Sequence, residues 1–275
     1  SAYGTSLEDY AGIVNRGFQL WIKPTDVTSG ARQDIVMDTL QHGVGITDTG
    51  NWFMQYNGAA LDSGVAVTAN QWYHVMMVRP YGASGPGNGG RMYVDGVAVA
   101  AQTGGYNGDD DFMMTIGVSS HEILPEEPYH FFSGIVDDLE VFVLGTSTSD
   151  PPTAYGTFNP GTDNEYIAST LTGVDGDINQ DGALDGSDVD AFVAGWKSQN
   201  LVNDILIGDL NSITLGDLDF SGVTDLDDAF LLHEALLAGG LGGFDFGRLS
   251  GGVPEPATGW LVLVALVALG MVRRW

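Results

Sequence analysis

The first half of the chain has the alternating hydrophobic pattern of β-strands. Between residues 17 and 24, Phe, Leu and Ile occupy every second position, opposite Gln, Trp and Lys. From residue 71 to 79 both alternating sets are apolar, which is typical of a strand buried on both faces. Further runs lie at residues 51–56, 91–99, 112–117 and 132–144. An Asp-Gly pair inside 91–99 predicts a hairpin turn. Short strands without an intervening amphipathic helix predict a mainly β fold, a sandwich or jelly roll.

The second half contains one loop pattern twice, with the spacing of an EF-hand loop. Oxygen-bearing side chains stand at loop positions 1, 3, 5, 9 and 12, glycine stands at position 6, and position 7 offers its carbonyl. In the first loop these ligands are Asp177, Asn179, Asp181, Asp185 and Asp188, with the carbonyl of Ala183. In the second loop they are Asp217, Asp219, Ser221, Asp225 and Asp228, with the carbonyl of Val223.

This ligand set predicts two calcium sites. Carboxylates about 4 Å apart repel by roughly 4 kcal/mol at an effective dielectric of 20, so a bound cation makes the geometry favourable. Oxygen ligands without sulfur or histidine select calcium over transition metals, and six or more ligands favour it over magnesium. Because Ser221 carries no charge, we expect the second site to be weaker. Solvated acidic turns are the alternative. An apolar helix is predicted after each loop, at 188–196 and 228–237.

The end of the chain has a different composition. Val-Pro-Glu-Pro at 253–256 precedes 16 uncharged residues, 257–272, and then two arginines. A helix of that length spans about 24 Å, somewhat less than the roughly 30 Å hydrocarbon core of a bilayer. The arginine pair fits the positive-inside rule and places the bulk of the chain outside the cytoplasm.

Composition narrows the classes of function. The formal net charge of −27 would be repelled by phosphate backbones, so we expect no nucleic-acid partner. The chain has no cysteine, which excludes disulfides, thiolate zinc sites and thiol catalysis. The 40 glycines have no period of three, so collagen is excluded, and 44% hydrophobic content is typical of a packed, turn-rich β protein.

No catalytic motif stands out, so we predict that the protein is not an enzyme. A serine-hydrolase elbow and a phosphate loop are missing, and His121-Glu122 lacks the second histidine of a zinc protease. Asp138 and Glu140, which would share a strand face, are the nearest approach to a glycosidase carboxylate pair.

The tryptophans, His74 and the acidic run Asp109–Asp111 each allow a structural and a functional interpretation. Aromatic faces can stack on sugars, so Trp21, Trp52 and Trp72 are candidate sugar platforms, but tryptophans in strands are usually core residues and we expect all three to be buried. Trp52, beside a turn, is the best candidate for exposure. His74 is expected to be a hydrogen-bonded core residue. Asp109–Asp111 could bind calcium at the rim, although a solvated acidic turn is the simpler expectation.

Motifs in the first half resemble those of laminin G-like, concanavalin A-like jelly-roll domains. They are F-x-L-W-x-K-P from residue 18, W-Y-H-V from 72, M-Y-V-D-G from 92 and F-S-G-I-V-D-D-L-E-V-F from 132, in the family's order. The resemblance covers residues 1–146 and implies a two-sheet sandwich that binds a glycan or an extracellular protein. The family's opening strand is missing before Ser1, so we expect a trimmed fragment.

The two loop-and-helix units at 174–240, with Asp at position 12, resemble a type I dockerin, which implies docking to a cohesin domain. The spacer between the units is longer than in compact dockerins. Positions 10 and 11, the usual cohesin contacts, are Gly186-Ser187 and Leu226-Asp227 rather than a matching pair. Calcium binding is therefore better supported than cohesin binding.

Pro-Glu-Pro, the apolar stretch and the terminal arginines together resemble the PEP-CTERM sorting signal of bacterial envelope proteins. The resemblance implies export, arrest in the membrane and cleavage near the motif by an exosortase-type enzyme. A permanent membrane anchor is the alternative.

These observations predict a mainly β protein: a jelly-roll β-sandwich, then a small α-helical dockerin-like domain and a C-terminal hydrophobic helix. The predicted divisions are the sandwich at 1–146, a linker at 147–173, the calcium-binding domain at 174–240, a glycine-rich linker at 241–252 and the sorting signal with its transmembrane helix at 253–275. We predict an exported binding protein of the cell envelope or surface. The alternatives are an assembly protein that docks onto a cohesin scaffold, and a glycoside hydrolase or its accessory module.

Overall fold

The structure is a computed structural model of the whole chain, and it describes residues 16–38, 42–79, 89–103, 114–118, 130–143 and 175–252. The acidic turn Asp109–Asp111, the linker at 147–173 and the predicted tail helix at 257–272 lie outside these residues.

Two antiparallel sheets confirm the predicted mainly β sandwich. The strands are β1 (Arg16–Pro24), β2 (Gln33–Asp38), β3 (His42–Ile46), β4 (Asn51–Tyr56), β5 (Ala59–Ala66), β6 (Tyr73–Arg79), β7 (Gly89–Val94), β8 (Val97–Thr103), β9 (Met114–Ile116) and β10 (Gly134–Val143). Sheet A has the order β10-β1-β6-β7-β8, and sheet B has the order β5-β4-β3-β2-β9. Neighbouring strands pair in antiparallel register.

The main core lies between the two sheets. Alternate residues of β1, such as Leu20 and Ile22, are fully buried there and pack with Val75 of β6. From sheet B, Trp52 enters the same core and meets the ring of Tyr73 edge-on, with 5.2 Å between ring centroids. Each large side chain buried in this way contributes roughly 1.5–3 kcal/mol to folding, so the period of two in the sequence is the pattern that places the core.

Residues 175–252 form a helical module. It contains helices α1 (Gly186–Gly195), α2 (Leu210–Ile213) and α3 (Leu226–Ala238), the short hairpin β11 (Leu201–Val202) with β12 (Ile205–Leu206), and a 3₁₀ helix at Phe246–Gly252. Its own core includes Phe192, Leu232 and Phe244. Helices α1 and α3 follow the two acidic loops, as the sequence predicts.

The helical module also packs against the outer face of sheet A. Met76 and Tyr93 of the sheet form one buried cluster with Ile207 and Phe220 of the module. This packing explains why β6 is apolar on both faces: Val75 faces sheet B, whereas Met76 faces the module. An apolar outer face of a sandwich strand needs a covering element such as this module, because large exposed apolar patches are rare on folded domains.

Within the described residues, no helix combines the length and the apolar character needed to cross a membrane.

Candidate functional site

The two acidic loops of the helical module have the same backbone geometry. In each, the carboxylate at position 1, Asp177 or Asp217, accepts hydrogen bonds of 2.8–3.1 Å from the amides of positions 5 and 6. The side chain at position 3 accepts a further hydrogen bond from the position 5 amide. The glycine at position 6 has a φ of +89° at Gly182 and +86° at Gly222, a conformation that favours glycine.

The carboxylate at position 12 closes each loop. Asp188 and Asp228 each accept hydrogen bonds from the amides of positions 2, 3 and 9. Both side chains are fully buried. At position 9, Asp185 and Asp225 are the N-caps of α1 and α3, each in a reciprocal capping box with the position 12 residue. The loops and the helices that follow them are therefore single local units.

In the second loop, three carboxylates converge. One oxygen each of Asp217, Asp219 and Asp228 lies within 4.8 Å of the others. Unit charges at that separation repel by roughly 3 kcal/mol per pair at an effective dielectric of 20. Burial raises the pKa of Asp217 to about 7, against the hydrogen bonds from Ser212 and the Gly222 amide, and burial likewise raises the pKa of Asp228 to about 7. The loop thus gathers carboxyl groups at a place where their charged form is disfavoured unless a cation binds.

The donor set fits calcium. The predicted ligands are oxygen atoms only, and Ser221 Oγ at position 5 lies 3.2 Å from the carbonyl of Val223 at position 7, so two of them are already adjacent. Arg248 of the module pairs with Asp190 of α1, outside both loops. The residues present could therefore hold a divalent cation as their counter-charge.

A second candidate site is a cleft of about 510 Å³ on the outer face of sheet A. We call it the Trp21 cleft. Its walls include Gln19, Trp21, His74, Asp95, Glu140 and, from the helical module, Leu210. Trp21 is 44% exposed, and its ring lies 5.4 Å from the His74 ring. Outward alternation on β1 places Trp21 there, opposite the buried Leu20 and Ile22.

A hydrogen-bond network crosses the floor of the Trp21 cleft. Gln19 Nε2 donates to Glu140 Oε2 over 2.8 Å, and Gln19 Oε1 lies 3.1 Å from His74 Nε2. The His74 amide donates to Asp95 Oδ1 over 2.8 Å. Burial lowers the pKa of His74, against the opposing effect of Asp95, so its ring is neutral at pH 7. The cleft therefore has one exposed aromatic face beside several fixed polar groups.

Strand β10 brings two of its three acidic residues into the cleft, beside a bulge. The register between β1 and β10 shifts between Gln19 and Trp21, and Asp138 there has a φ of +47°. Asp138 and Glu140 both line the cleft, so the expectation that they share a face is confirmed.

The expectation that all three tryptophans lie in the core is correct for one of them and wrong for two. Trp52, named as the best candidate for exposure, is fully buried in the core, whereas Trp21 and Trp72 are 44% and 41% exposed. His74 is hydrogen-bonded as expected but only half-buried. Alternation along β1 already places Trp21 opposite the core residues, and it is the more reliable signal.

Comparisons with known proteins concern mainly the sandwich. The sequence profile of the family described as the concanavalin A-like lectin/glucanases superfamily matches residues 17–150. No curated protein matches the chain. The match ends at residue 150, so the dockerin-like and PEP-CTERM-like resemblances stay predictions.

Among solved structures, the chain is similar to a heptameric SAP-like pentraxin from Limulus polyphemus, with 19% identity over 47% of this chain and 64% of that one and a TM-score of 0.33. It is similar to a protein of Bacteroides ovatus described as carbohydrate binding, with 15% identity over 54% of this chain and 43% of that one and a TM-score of 0.39. It is also similar to the CBM40 module of a Ruminococcus gnavus sialidase bound to sialyllactose, with 15% identity over 59% and 85% and a TM-score of 0.40. The chain thus spans less than two thirds of the first two. On the family match and the two observed sheets, residues 17–150 form a laminin G-like domain of the concanavalin A-like lectin/glucanases superfamily.

Proposed function

We propose that this protein binds glycans through the Trp21 cleft and holds calcium in the two loops of the helical module. The observation that carries the glycan proposal is the exposed Trp21 ring beside the Gln19, His74 and Glu140 network. A sugar ring offers an apolar face for stacking and hydroxyl groups at its edge, and this cleft offers a partner for each.

The charges of the cleft favour neutral or amino sugars. Asp95, Asp138 and Glu140 line it, whereas the neutral His74 supplies no positive charge. A sugar carboxylate about 4 Å from one of these groups meets a repulsion of about 1 kcal/mol even in water. Acidic sugars are therefore the disfavoured ligand class.

We propose binding rather than hydrolysis. Glycoside hydrolysis needs one carboxylic acid that protonates the leaving oxygen and a second carboxylate opposite it. Glu140 instead accepts a hydrogen bond from the amide of Gln19, an arrangement that suits a group orienting a hydroxyl. Release of reducing sugar from a bound polysaccharide, abolished by Glu140→Gln, would contradict this proposal.

The test of the glycan site uses the whole chain and two matched tryptophan variants. A panel of neutral, amino and acidic oligosaccharides identifies a ligand, and calorimetry gives its affinity. Trp21→Ala should weaken binding about tenfold or more, since a stacking contact of about 1.5 kcal/mol corresponds to that factor. Trp72→Ala removes an equally exposed tryptophan that does not line the cleft, so it should leave the affinity unchanged. Equal effects of the two variants would refute the proposed site.

The calcium proposal rests on the repeated cage of backbone amides around converging carboxylates. Calorimetric titration of the chelated protein should show two calcium sites that prefer calcium to magnesium. Asp177→Asn should remove the first site, and Asp217→Asn the second. We expect the second site to be the weaker because Ser221 is uncharged. Equal affinities, or no heat of binding, would contradict this expectation.

An assembly role is the second candidate function. Leu226, Phe230 and Leu237 of α3 are each at least half exposed, and an apolar helix face of this kind is open to a partner. Binding of a purified cohesin domain, lost in a Leu226→Asp variant, would support this role. Absence of binding to the calcium-loaded protein would count against it.

We also propose that the chain is exported to the cell envelope and processed within its tail. The proposal rests on the Pro-Glu-Pro motif, the apolar stretch 257–272 and the arginine pair that follows it. The C-terminus of the mature protein tests it: cleavage near residue 256 supports processing by an exosortase-type enzyme, whereas a mature end at Trp275 supports a permanent membrane anchor.

A further inference from the structure

We infer that calcium in the second loop fixes the helical module onto sheet A and thereby completes the Trp21 cleft, so that glycan binding depends on that one loop. The inference rests on the proposed function of the cleft. It is carried by a continuous series of contacts from the second loop to the cleft wall.

The second loop is itself part of the docking surface. Phe220, at loop position 4, is 1% exposed and lies 6.4 Å from the ring of Tyr93 on sheet A. Both belong to the buried cluster that joins sheet and module. A change in the backbone of this loop therefore changes the packing against the sheet.

Two side chains of the module cap the edge of sheet A. Strand β8 is the last strand on one side of sheet A in the described part of the chain, and its amides at Ala98 and Ala101 donate to Asp209 Oδ2 and Asn203 Oδ1, both over 3.0 Å. Unpaired amides on a covered edge are costly, so these two hydrogen bonds fix one docked position.

The cap at Asp209 is connected directly to the calcium ligand Asp217. Ser212 Oγ donates to Asp217 Oδ2 over 2.6 Å, and the Ser212 amide donates to Asp209 Oδ1 over 2.9 Å. Asp209 uses its other oxygen for sheet A. Ser212 is buried between them. One short helix, α2, thus links the position of a loop ligand to the position of an edge-strand cap.

The same helix reaches the cleft. The Leu210 amide donates to the carbonyl of Gly96 over 3.1 Å, and Leu210 lines the Trp21 cleft. Gly96 belongs to the turn between β7 and β8, where the Asp95 amide donates to the carbonyl of His74. The wall of the cleft and one of its polar residues therefore depend on where α2 sits.

The first loop has no comparable link. Among the described residues, the side-chain hydrogen bonds of its carboxylates stay within residues 177–188. Its buried residue Ile178 packs within the module core. The chain thus supplies its own comparison, a loop of the same geometry whose side-chain hydrogen bonds and buried residue, in the part of the chain that the structure describes, belong to the module rather than to sheet A.

Amide hydrogen exchange of the full chain tests the inference. In excess chelator, or in Asp217→Asn with calcium present, exchange of the Ala98 and Ala101 amides should be faster by about tenfold, a typical coupling between sites. Asp177→Asn should lose calcium from the first loop yet change these two amides far less. Saccharide affinity should fall with Asp217→Asn in parallel.

A second variant separates coupling from misfolding of the loop. Ser212→Ala keeps every predicted calcium ligand and the amide that donates to Asp209, but removes the hydroxyl that donates to Asp217 and so breaks the link between the two aspartates. Calcium should still bind, while protection of Ala98 no longer responds to it. Unchanged exchange in Asp217→Asn, with calcium binding to the second loop shown to be lost, would overturn the inference. Faster exchange in a protein whose glycan binding is insensitive to Trp21→Ala refutes the proposed glycan site and leaves the calcium coupling supported.

Discussion

Replacing the glycine at loop position 6 by alanine distinguishes a free loop from a docked one. Gly182 and Gly222 have nearly the same left-handed φ, +89° and +86°, so alanine is strained by about 1–2 kcal/mol at either position. The surroundings differ. A Cβ at position 182 meets nothing within 4 Å, whereas a Cβ at position 222 lies 2.4 Å from the backbone nitrogen of Ile207 and 2.9 Å from the carbonyl carbon of Leu206.

The extra clash sets the expected difference between the two variants. Backbone atoms cannot move aside as a flexible side chain can, and overpacking of this kind costs about 1–3 kcal/mol. We therefore expect Gly182→Ala to lower the free energy of unfolding of the helical module by about 1–2 kcal/mol and Gly222→Ala by about 2–5 kcal/mol. Alanine keeps the backbone amide that donates to Asp217, so the loss of that hydrogen bond does not contribute.

Urea unfolding in excess chelator measures the difference without calcium. Far-ultraviolet circular dichroism follows the helices, and exchange at Ala98 follows docking. Gly222→Ala should shift the helical transition to lower urea and speed exchange at Ala98, whereas Gly182→Ala should do only the first and to a smaller extent. If the two variants are equally stable, or if Gly182→Ala is the less stable, the close approach of the second loop to the β12 strand does not govern its stability.

Three further predictions follow from the packing. Phe220→Ala should lower the free energy of unfolding by about 3 kcal/mol, as expected for a buried phenylalanine. Phe230→Ala, on the exposed side of α3, should change it by less than about 0.5 kcal/mol. Urea titration compares the stabilities of the two variants. Burial lowers the pKa of His74 despite Asp95, so the stability that the neutral ring contributes is complete above its ordinary pKa of 6.5 and is lost as the pH falls below that value. The urea midpoint of unfolding should therefore decrease when the pH is lowered from about 7.5 to about 5.5. His74→Gln should make this midpoint depend less on pH. Asp34 is fully buried between Arg32 Nε at 2.7 Å and the His130 ring at 3.1 Å, so Asp34→Ala should lower the unfolding free energy by about 3 kcal/mol, measured in the same assay.

Local patterns in the sequence predict the elements that are regular and the loops that are closed by their own residues. The period of two finds β1, β4 and β6, and the spacing of oxygen ligands finds both acidic loops with the helices that follow. The period of two does not find β2, β3 and β5. Strand β3 contains Gly43 and Gly45, which read as a turn, yet a Cβ at Gly43 would lie 2.2 Å from the Val36 carbonyl, so glycine is required by a close strand contact.

The Trp21 cleft could be predicted only in part. Alternation along β1 places Trp21 on the face opposite the core. It does not explain why His74, on the neighbouring strand, is half-buried. That burial comes from neighbours distant in sequence: Gln19 across the sheet and Asp95 in the next turn. Trp52 shows the converse. The turn beside it ranks Trp52 first among the three tryptophans as a candidate for exposure, yet strand β4 continues across the core and buries the ring against Tyr73.

The spacer between the two loops shows most clearly what a local pattern leaves out. In the sequence the spacer is recognisable only by its length, which is greater than two compact loop-and-helix units need. In the structure it contains the β11–β12 hairpin and α2, whose Asn203 and Asp209 cap the edge of sheet A. The turn at Asn203 and Asp204, both with positive φ, is the kind a short hairpin needs, and Asp209 and Ser212 form a capping box. Each of these local signals can be recognised in the sequence. The residues that Asn203 and Asp209 bind, however, are amides of β8 that lie 102 and 111 positions earlier in the chain. A longer spacer therefore connects the second loop to the sandwich, whereas the carboxylates of the first loop hydrogen-bond within their own loop.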